Sequence, residues 1–162
     1  MVAPLPEVAE RVQKLQASGK KVVFTNGCFD ILHSGHIDLL RKARDLGDAL
    51  VVAINSDTSV VRIKGSGRPI IPEQERAELL DGFEMVDFVC WFEDDTPLQA
   101  ILTIHPDVLV KGADWTDNIV GQREVEGWGG KVFTLPIMEG CSTTGIVDRV
   151  LARYGNTRKT NS

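Results

Sequence analysis

Residues 21–46 read KVVFTNGCFDILHSGHIDLLRKARDL, and this stretch decides the fold. It begins with a short apolar run of strand character, Val22 to Phe24. After a polar turn come apolar residues that recur at helical spacing, namely Ile37, Leu40, Ala43 and Leu46. The stretch therefore predicts a strand that is followed at once by a helix, with His33 and His36 between the two.

This junction between strand and helix is a favourable place for an anionic ligand. In open α/β sheets ligands bind at the carboxyl ends of strands, and the free N–H groups of a helix N-terminus attract negative charge. Ser34 is predicted to be the N-cap, and Gly35 lets backbone and ligand approach closely. We therefore expect a phosphate site around His33 and His36, the alternative being two core or capping histidines.

Residues 26–36, NGCFDILHSGH, resemble the signature of the cytidylyltransferase-like nucleotidyltransferases, whose mark is His-x-Gly-His. The preceding strand, the Phe29-Asp30 pair at a fixed offset and the amphipathic helix that follows strengthen the resemblance. Enzymes of this family join a nucleoside triphosphate to a phosphorylated small molecule and release pyrophosphate. The resemblance therefore implies two anionic substrates and no covalent enzyme intermediate.

Length and composition indicate a single globular domain. The 162 residues predict one domain at 1–155, followed by a polar tail at 156–162. The formal net charge of −5 disfavours a nucleic-acid partner bound through a broad basic surface. No apolar run approaches the ~20 residues that span a bilayer, and the N-terminus lacks a basic region followed by an apolar core. We expect a cytoplasmic protein without a membrane partner.

The cysteines indicate neither a disulfide framework nor a zinc site. Cys28, Cys90 and Cys141 are an odd number without Cys-x-x-Cys spacing, as expected of reduced thiols. The two histidines of the motif have no third ligand close in sequence. We therefore predict no metal ligands in the protein itself.

Strands and helices alternate along the rest of the chain. Apolar runs predict further strands at Ala49–Ile54, Asp87–Trp91, Asp107–Val110 and Lys131–Leu135, with helices before, between and after them. This pattern predicts a doubly wound, Rossmann-like α/β fold with a parallel five-stranded sheet in the order 3-2-1-4-5. In that order the segment after the first strand and residues 111–115 face one crevice.

Residues 55–71 show no convincing periodicity and carry three basic residues among glycines and a proline. A long basic loop in a compact domain is often a functional lid, so we predict closure over a triphosphate. Lys64 and Arg68, with Arg76 in the next predicted helix, would then approach the phosphates. The alternative is a solvated, charged loop.

Further polar residues are candidates for phosphate or substrate contacts. The hydroxyl groups of Ser142, Thr143 and Thr144 precede the last predicted helix, where they bind phosphates or serve as simple caps. Asp30 is predicted to hold a substrate hydroxyl or a magnesium-bound water, the alternative being a buried hydrogen-bond acceptor.

Five more segments resemble the adenylyltransferase half of bifunctional heptose kinase/adenylyltransferases: residues 55–57, 64–69, 93–97, 109–115 and 139–144. The resemblance implies ATP and D-glycero-β-D-manno-heptose 1-phosphate as substrates, Mg²⁺ with the triphosphate, a homo-oligomer of two or more copies, and a separate kinase as pathway partner. The predicted catalytic residues are His33, His36, Lys64 and Arg76. The predicted nucleotide-binding residues are Asn26, Gly27, Phe29, Gly35, His36, Lys111, Gly112, Ser142, Thr143 and Thr144. The predicted residues for the second substrate are Asp30, Asn55, Asp57, Arg68, Asp114 and Trp115.

Two departures bear on this resemblance. Gly145 stands where relatives commonly have Asn, which removes the contacts of that side chain. Glycerol-3-phosphate cytidylyltransferases share most of the motifs but often carry an arginine where this chain has residues 137–139, Ile-Met-Glu. They remain the alternative, together with other sugar- or alcohol-phosphate nucleotidyltransferases and a non-catalytic nucleotide-binding module.

Overall fold

The computed structural model describes residues 1–112, 119–136, 138 and 140–155. Five parallel strands form one sheet in the order β3-β2-β1-β4-β5, which confirms the predicted topology. The strands are β1 (Val22–Gly27), β2 (Ala49–Asn55), β3 (Phe88–Phe92), β4 (Val108–Gly112) and β5 (Lys131–Leu135). The helices are α1 (Leu5–Ala17), α2 (Ser34–Arg44), α3 (Asp57–Lys64), α4 (Glu73–Asp81), α5 (Leu98–Ile104), α6 (Gln122–Gly127) and α7 (Thr143–Tyr154).

Helices cover both faces of the central strands. Alternate residues of β1 point to opposite faces, so Phe24 joins one core cluster with Val12 of α1 and Ile101 of α5. Val23 joins the other cluster with Leu40 of α2 and residues of α4. Every residue of β2 is buried, as expected of a parallel strand with both faces covered.

The order in which the chain adds strands to the sheet reverses at β1. This strand pairs in parallel with β2 on one side and with β4 on the other. The carboxyl ends of β1 and β4 are therefore neighbours, and ligands of open α/β sheets bind at such a point. The predicted position of Lys111 at this edge of the sheet is confirmed, whereas Asp114 and Trp115 lie outside the described residues, as does the predicted tail.

The predicted loop at 55–71 is wrong for its first half, because residues 57–64 form helix α3. The Oγ atom of Ser56 accepts a hydrogen bond from the Ser59 backbone N–H at 3.2 Å and caps the helix. Ser59 and Val60 are buried. The sequence does not indicate this helix, because α3 has about two turns and several β-branched residues, which have low helix propensity.

The N-cap of α2 is His33 rather than Ser34. His33 has an extended backbone, and its side chain makes no capping hydrogen bond. The shift of one residue places the His33 ring at the very start of the helix, beside the ring of His36 in its first turn.

Candidate active site

The two motif histidines lie together at the carboxyl end of β1. Their rings stack with centroids 3.8 Å apart and an angle of 20° between the ring planes. The Nδ1 atoms of both are buried and have no hydrogen-bond partner among the described residues. Buried polar atoms are nearly always paired, so an unpaired nitrogen in each ring is typical of a ligand-binding or catalytic site.

Burial changes the charge of these rings. Burial, together with the smaller effect of the nearby charge of His33, lowers the pKa of His36 to about 4. Burial also lowers the pKa of His33. At neutral pH both rings are therefore predominantly uncharged, and each carries one N–H donor and one acceptor nitrogen. An anion beside the rings would favour their protonated forms.

Gly35 allows the start of α7 to approach the histidines. A Cβ atom at Gly35 would lie 3.1 Å from the Cβ atom of Cys141 and 3.1 Å from two atoms of the His33 ring. The Ser34 Oγ and Cys141 Sγ atoms are 3.2 Å apart. A side chain at position 35 would therefore push apart the starts of α2 and α7.

The first turn of α7 adds hydroxyl groups and a helix N-terminus. The Ser142 Oγ atom accepts a hydrogen bond from the Gly145 backbone N–H at 3.0 Å, so Ser142 is the N-cap. The Thr143 hydroxyl donates to the carbonyl oxygen of Ile31 at 3.3 Å, which ties the turn to the segment before His33. Thr144 is exposed. The capping interpretation applies to Ser142 and is compatible with phosphate binding at the same turn.

Lys111 and Asn26 join the ends of β4 and β1. The Lys111 Nζ atom donates a hydrogen bond to the Asn26 Oδ1 atom, and Gly112 ends β4 beside them. A Cβ atom at Gly27 would lie 3.1 Å from the ring of Phe29. A cationic group thus stands at the switch point of the sheet, where a phosphate would be bound.

Both carboxylate oxygens of Asp30 are bonded to groups of the protein. The residue is 2% exposed, and its Oδ1 atom accepts hydrogen bonds from the backbone N–H groups of Ile70 and Ile71, both at 2.8 Å. Its Oδ2 atom pairs with the Arg68 guanidinium. This geometry favours the buried-acceptor interpretation over direct contact with a substrate.

The Arg76 guanidinium is bonded to groups of the protein, which disfavours the catalytic role expected from the sequence. The Arg76 side chain is fully buried. The guanidinium donates to the carbonyl oxygens of Ile71 at 3.0 Å and Cys28 at 2.5 Å, and to the Asp57 carboxylate at 2.7 Å. Asp57, expected to bind the second substrate, is thus held by Arg76.

Asn55 also contacts protein groups. It is 5% exposed, and its Nδ2 atom donates to the Ser59 hydroxyl at 3.0 Å. Its Oδ1 atom accepts a hydrogen bond from the Cys28 thiol at 3.8 Å.

Burial raises the pKa of Cys28, although the positive charges of Lys64, Arg76 and Arg68 act in the opposite direction. The thiol therefore stays protonated. The exposed ammonium group of Lys64 is close enough to Cys28 to lower the pKa of the thiol by electrostatic attraction.

Two features of the site left no signal in the sequence. The left-handed backbone of Phe29, with φ at 48°, is uncommon for an aromatic residue. Ile71 bonds to Asp30 and Arg76 only through its backbone N–H and carbonyl groups, and every residue type except proline offers the same two groups. The contact of Cys141 with Ser34 could have been suspected only from the position of Cys141 directly before the Ser-Thr-Thr triplet.

Neither a metal cluster nor a membrane span is found in the parts of the chain that the structure describes. There, no three side chains of His, Cys, Asp or Glu lie together in a way that could hold a metal ion. No helix in those ranges has the length and apolar character needed to cross a bilayer.

The sequence and this geometry together define the class. Residues 24–149 match the family described as cytidylyltransferase-like, and the chain belongs to this family. Its curated relatives include the bifunctional protein HldE of Trichlorobacter lovleyi, 49% identical over 148 residues, which are 91% of this chain and 30% of the relative. HldE of Hahella chejuensis is 54% identical over 136 residues, which are 83% of this chain and 28% of the relative. The chain thus spans about three-tenths of the length of these relatives.

Solved structures agree with the fold. A lipopolysaccharide core biosynthesis protein from Thermoplasma volcanium is 30% identical, with a TM-score of 0.60 over 74% of this chain and 98% of that one. A pantoate-beta-alanine ligase from Francisella tularensis has a TM-score of 0.63 over 100% of this chain and 82% of its own, at 16% identity. The second likeness concerns the fold alone.

Proposed function

We propose that the protein is an adenylyltransferase that joins ATP and D-glycero-β-D-manno-heptose 1-phosphate to give ADP-heptose and pyrophosphate. The observation that carries the proposal is the stacked pair His33 and His36, with unpaired ring nitrogens, at the carboxyl end of β1 and beside the start of α7. Similarity to HldE proteins over most of the chain supports it.

In the proposed reaction, a phosphate oxygen of the sugar 1-phosphate attacks the α-phosphorus of ATP. The bond from that phosphorus to the oxygen that bridges the α- and β-phosphates breaks, and pyrophosphate leaves with the bond's electron pair. Such a transfer depends on positioning and on donors that stabilise the developing charge. His33 and His36 supply N–H donors to the α-phosphate region, and Lys111 neutralises charge at the end of β4.

The start of α7 holds the leaving pyrophosphate. Its N-terminus presents backbone N–H groups and the positive end of the helix dipole. The exposed Thr144 and the Ser142 hydroxyl lie in the same turn. Lys64, exposed at the end of α3, adds a cation once the triphosphate is bound. Mg²⁺ arrives as part of the substrate MgATP, since this ion is commonly held by substrate phosphates.

A two-by-two assay of pyrophosphate release tests the function. ATP or CTP is combined with the heptose 1-phosphate or with glycerol 3-phosphate, in the presence of Mg²⁺. We expect release only with ATP and the β-anomer of the heptose phosphate. Preference for CTP with glycerol 3-phosphate would support the cytidylyltransferase alternative, and activity with the α-anomer alone would revise only the sugar. No release with any pair would leave a non-catalytic nucleotide-binding module.

The proposal also covers the oligomeric state, the cellular location and the partners of the protein. The family resemblance supports a homo-oligomer of two or more copies that acts in the cytoplasm on small molecules, without a nucleic-acid or membrane partner. Sedimentation velocity of the purified protein measures the number of copies. A monomer over the whole concentration range would contradict the oligomer.

A further inference from the structure

Phe29 connects the motif histidines to the rest of the domain. Its ring is 4% exposed and packs on the His36 ring, with centroids 5.0 Å apart and an angle of 55° between the planes. His36 in turn stacks on His33. The position of Phe29 therefore sets the surface against which both imidazoles are oriented.

The backbone of Phe29 is in the left-handed region, with φ at 48°. Aromatic residues avoid this region, and such a conformation persists only where the surroundings hold it. Besides the apolar core cluster to which Phe29 belongs, two buried ionic groups hold the residues beside it: Arg76 bonds to Cys28, and Asp30 is the next residue in the chain.

Both groups bind the same loop residue, Ile71. The Arg76 guanidinium donates to the carbonyl oxygen of Cys28, before Phe29, and to the carbonyl oxygen of Ile71. The Asp30 carboxylate, after Phe29, accepts from the Ile71 N–H group. Cys28, Phe29 and Asp30 are thus tied to the two peptide groups that flank Ile71, in the loop before α4.

We infer that Asp30 and Arg76 are positioning residues, which hold Phe29 in its left-handed conformation and through it fix the rings of His36 and His33. In this role neither Asp30 nor Arg76 contacts the substrate. It rests on the proposed nucleotidyl transfer only for its effect on turnover, because the contacts themselves are independent of the reaction.

The matched controls come from a surface ion pair of the same composition. Arg62 pairs with Asp95 at 2.6 Å, and both side chains are about half exposed. Arg76→Lys and Asp30→Ala are therefore compared with Arg62→Lys and Asp95→Ala. Phe29→Leu tests the link itself, because it removes the ring while both clamping residues stay. Thermal unfolding identifies any variant that does not fold.

The first readout is NMR of the histidine rings. The protein has three histidines, and His105 stacks on Trp128, so its signal is an internal reference. We expect Arg76→Lys, Asp30→Ala and Phe29→Leu to shift the His36 signal and to raise its pKa from about 4 towards the ordinary value. The His105 signal stays in place. A purely structural role would lower stability without this selective shift.

The second readout separates kcat from KM. We expect kcat to fall by about tenfold or more in the three variants while the KM for ATP changes by less than about threefold, because all three side chains are buried away from the ligand. The two surface controls match the wild type. Folded variants with an unchanged His36 signal and wild-type kcat would overturn the inference. If the wild-type protein released no pyrophosphate, the proposed function would fail, and the His36 signal would still decide the positioning role.

Discussion

The imidazole rings of His33 and His36 stack with their centroids 3.8 Å apart. Stacked rings cannot both be charged at low cost, because two like charges at this distance repel each other strongly. Burial is the larger cause and lowers the pKa of both rings, so the free protein keeps them predominantly neutral at physiological pH. A polyphosphate beside the rings would favour their protonated forms, because an adjacent opposite charge stabilises the imidazolium.

Replacing His36 tests the importance of this pair for turnover. We expect His36→Ala to fold and to bind ATP while kcat falls by about 10² to 10³, the usual effect of losing one donor to the transition state. Steady-state pyrophosphate release and equilibrium ATP binding are the measurements. His105→Asn is the control, because His105 stacks on Trp128 and asparagine tolerates the left-handed backbone at that position. Near-normal kcat in His36→Ala would refute the role of His36.

Stability should depend on pH through the same residue. The pKa of His36 is about 4 in the folded chain, below its ordinary value of 6.5. Between these values the unfolded chain binds a proton that the folded chain does not, so stability rises with pH by up to about 1.4 kcal/mol per pH unit. This contribution is present in full above pH 6.5 and is lost as the pH falls to about 4.

Urea unfolding of the wild type and of His36→Asn at several pH values measures this effect. Asparagine does not titrate in this range, so the difference in unfolding free energy between the two proteins should vary between pH 4 and 6.5 and stay constant above it. A constant difference across the whole range would show that the His36 pKa is normal in the folded chain.

The sheet order and the place of the histidines could be predicted because they depend on local patterns. Apolar runs mark the strands, and the motif lies between β1 and α2. The roles of Asp30 and Arg76 could not be predicted in the same way. Charged residues are usually exposed, and their partners here are mainly backbone groups of Cys28, Ile70 and Ile71, whose bonding capacity is the same for every residue type.

The segment between α3 and the Asp30 contact is expected to respond to nucleotide. It is held at one end by helix α3 and at the other by the bonds of Ile70 and Ile71 to Asp30. Gly65 and Gly67 between them are exposed. Closure over bound triphosphate would bring Lys64 to the phosphates.

Limited proteolysis measures this closure. Cleavage between residues 64 and 68 should slow when a non-hydrolysable ATP analogue and Mg²⁺ are added. Cleavage at the turn of Gly127 to Gly130, on the other side of the sheet's switch point, is the control and should keep its rate. Equal slowing at both places would indicate global stabilisation by the ligand rather than local closure.

Ser142 is expected to have two roles that one substitution can separate. Its Oγ atom caps α7 through the Gly145 N–H group, and its place at the helix N-terminus favours an anion beside it. Aspartate is as good an N-cap as serine, but its negative charge repels a triphosphate. Ser142→Asp should therefore keep the stability of the wild type while the KM for ATP rises by about tenfold or more. Ser142→Ala should instead lose about 1 kcal/mol of stability through the missing cap, with a smaller rise in KM. Thermal unfolding and pyrophosphate release on both variants provide the comparison. A KM for ATP in Ser142→Asp that equals the wild-type value would mean that α7 caps itself but binds no phosphate.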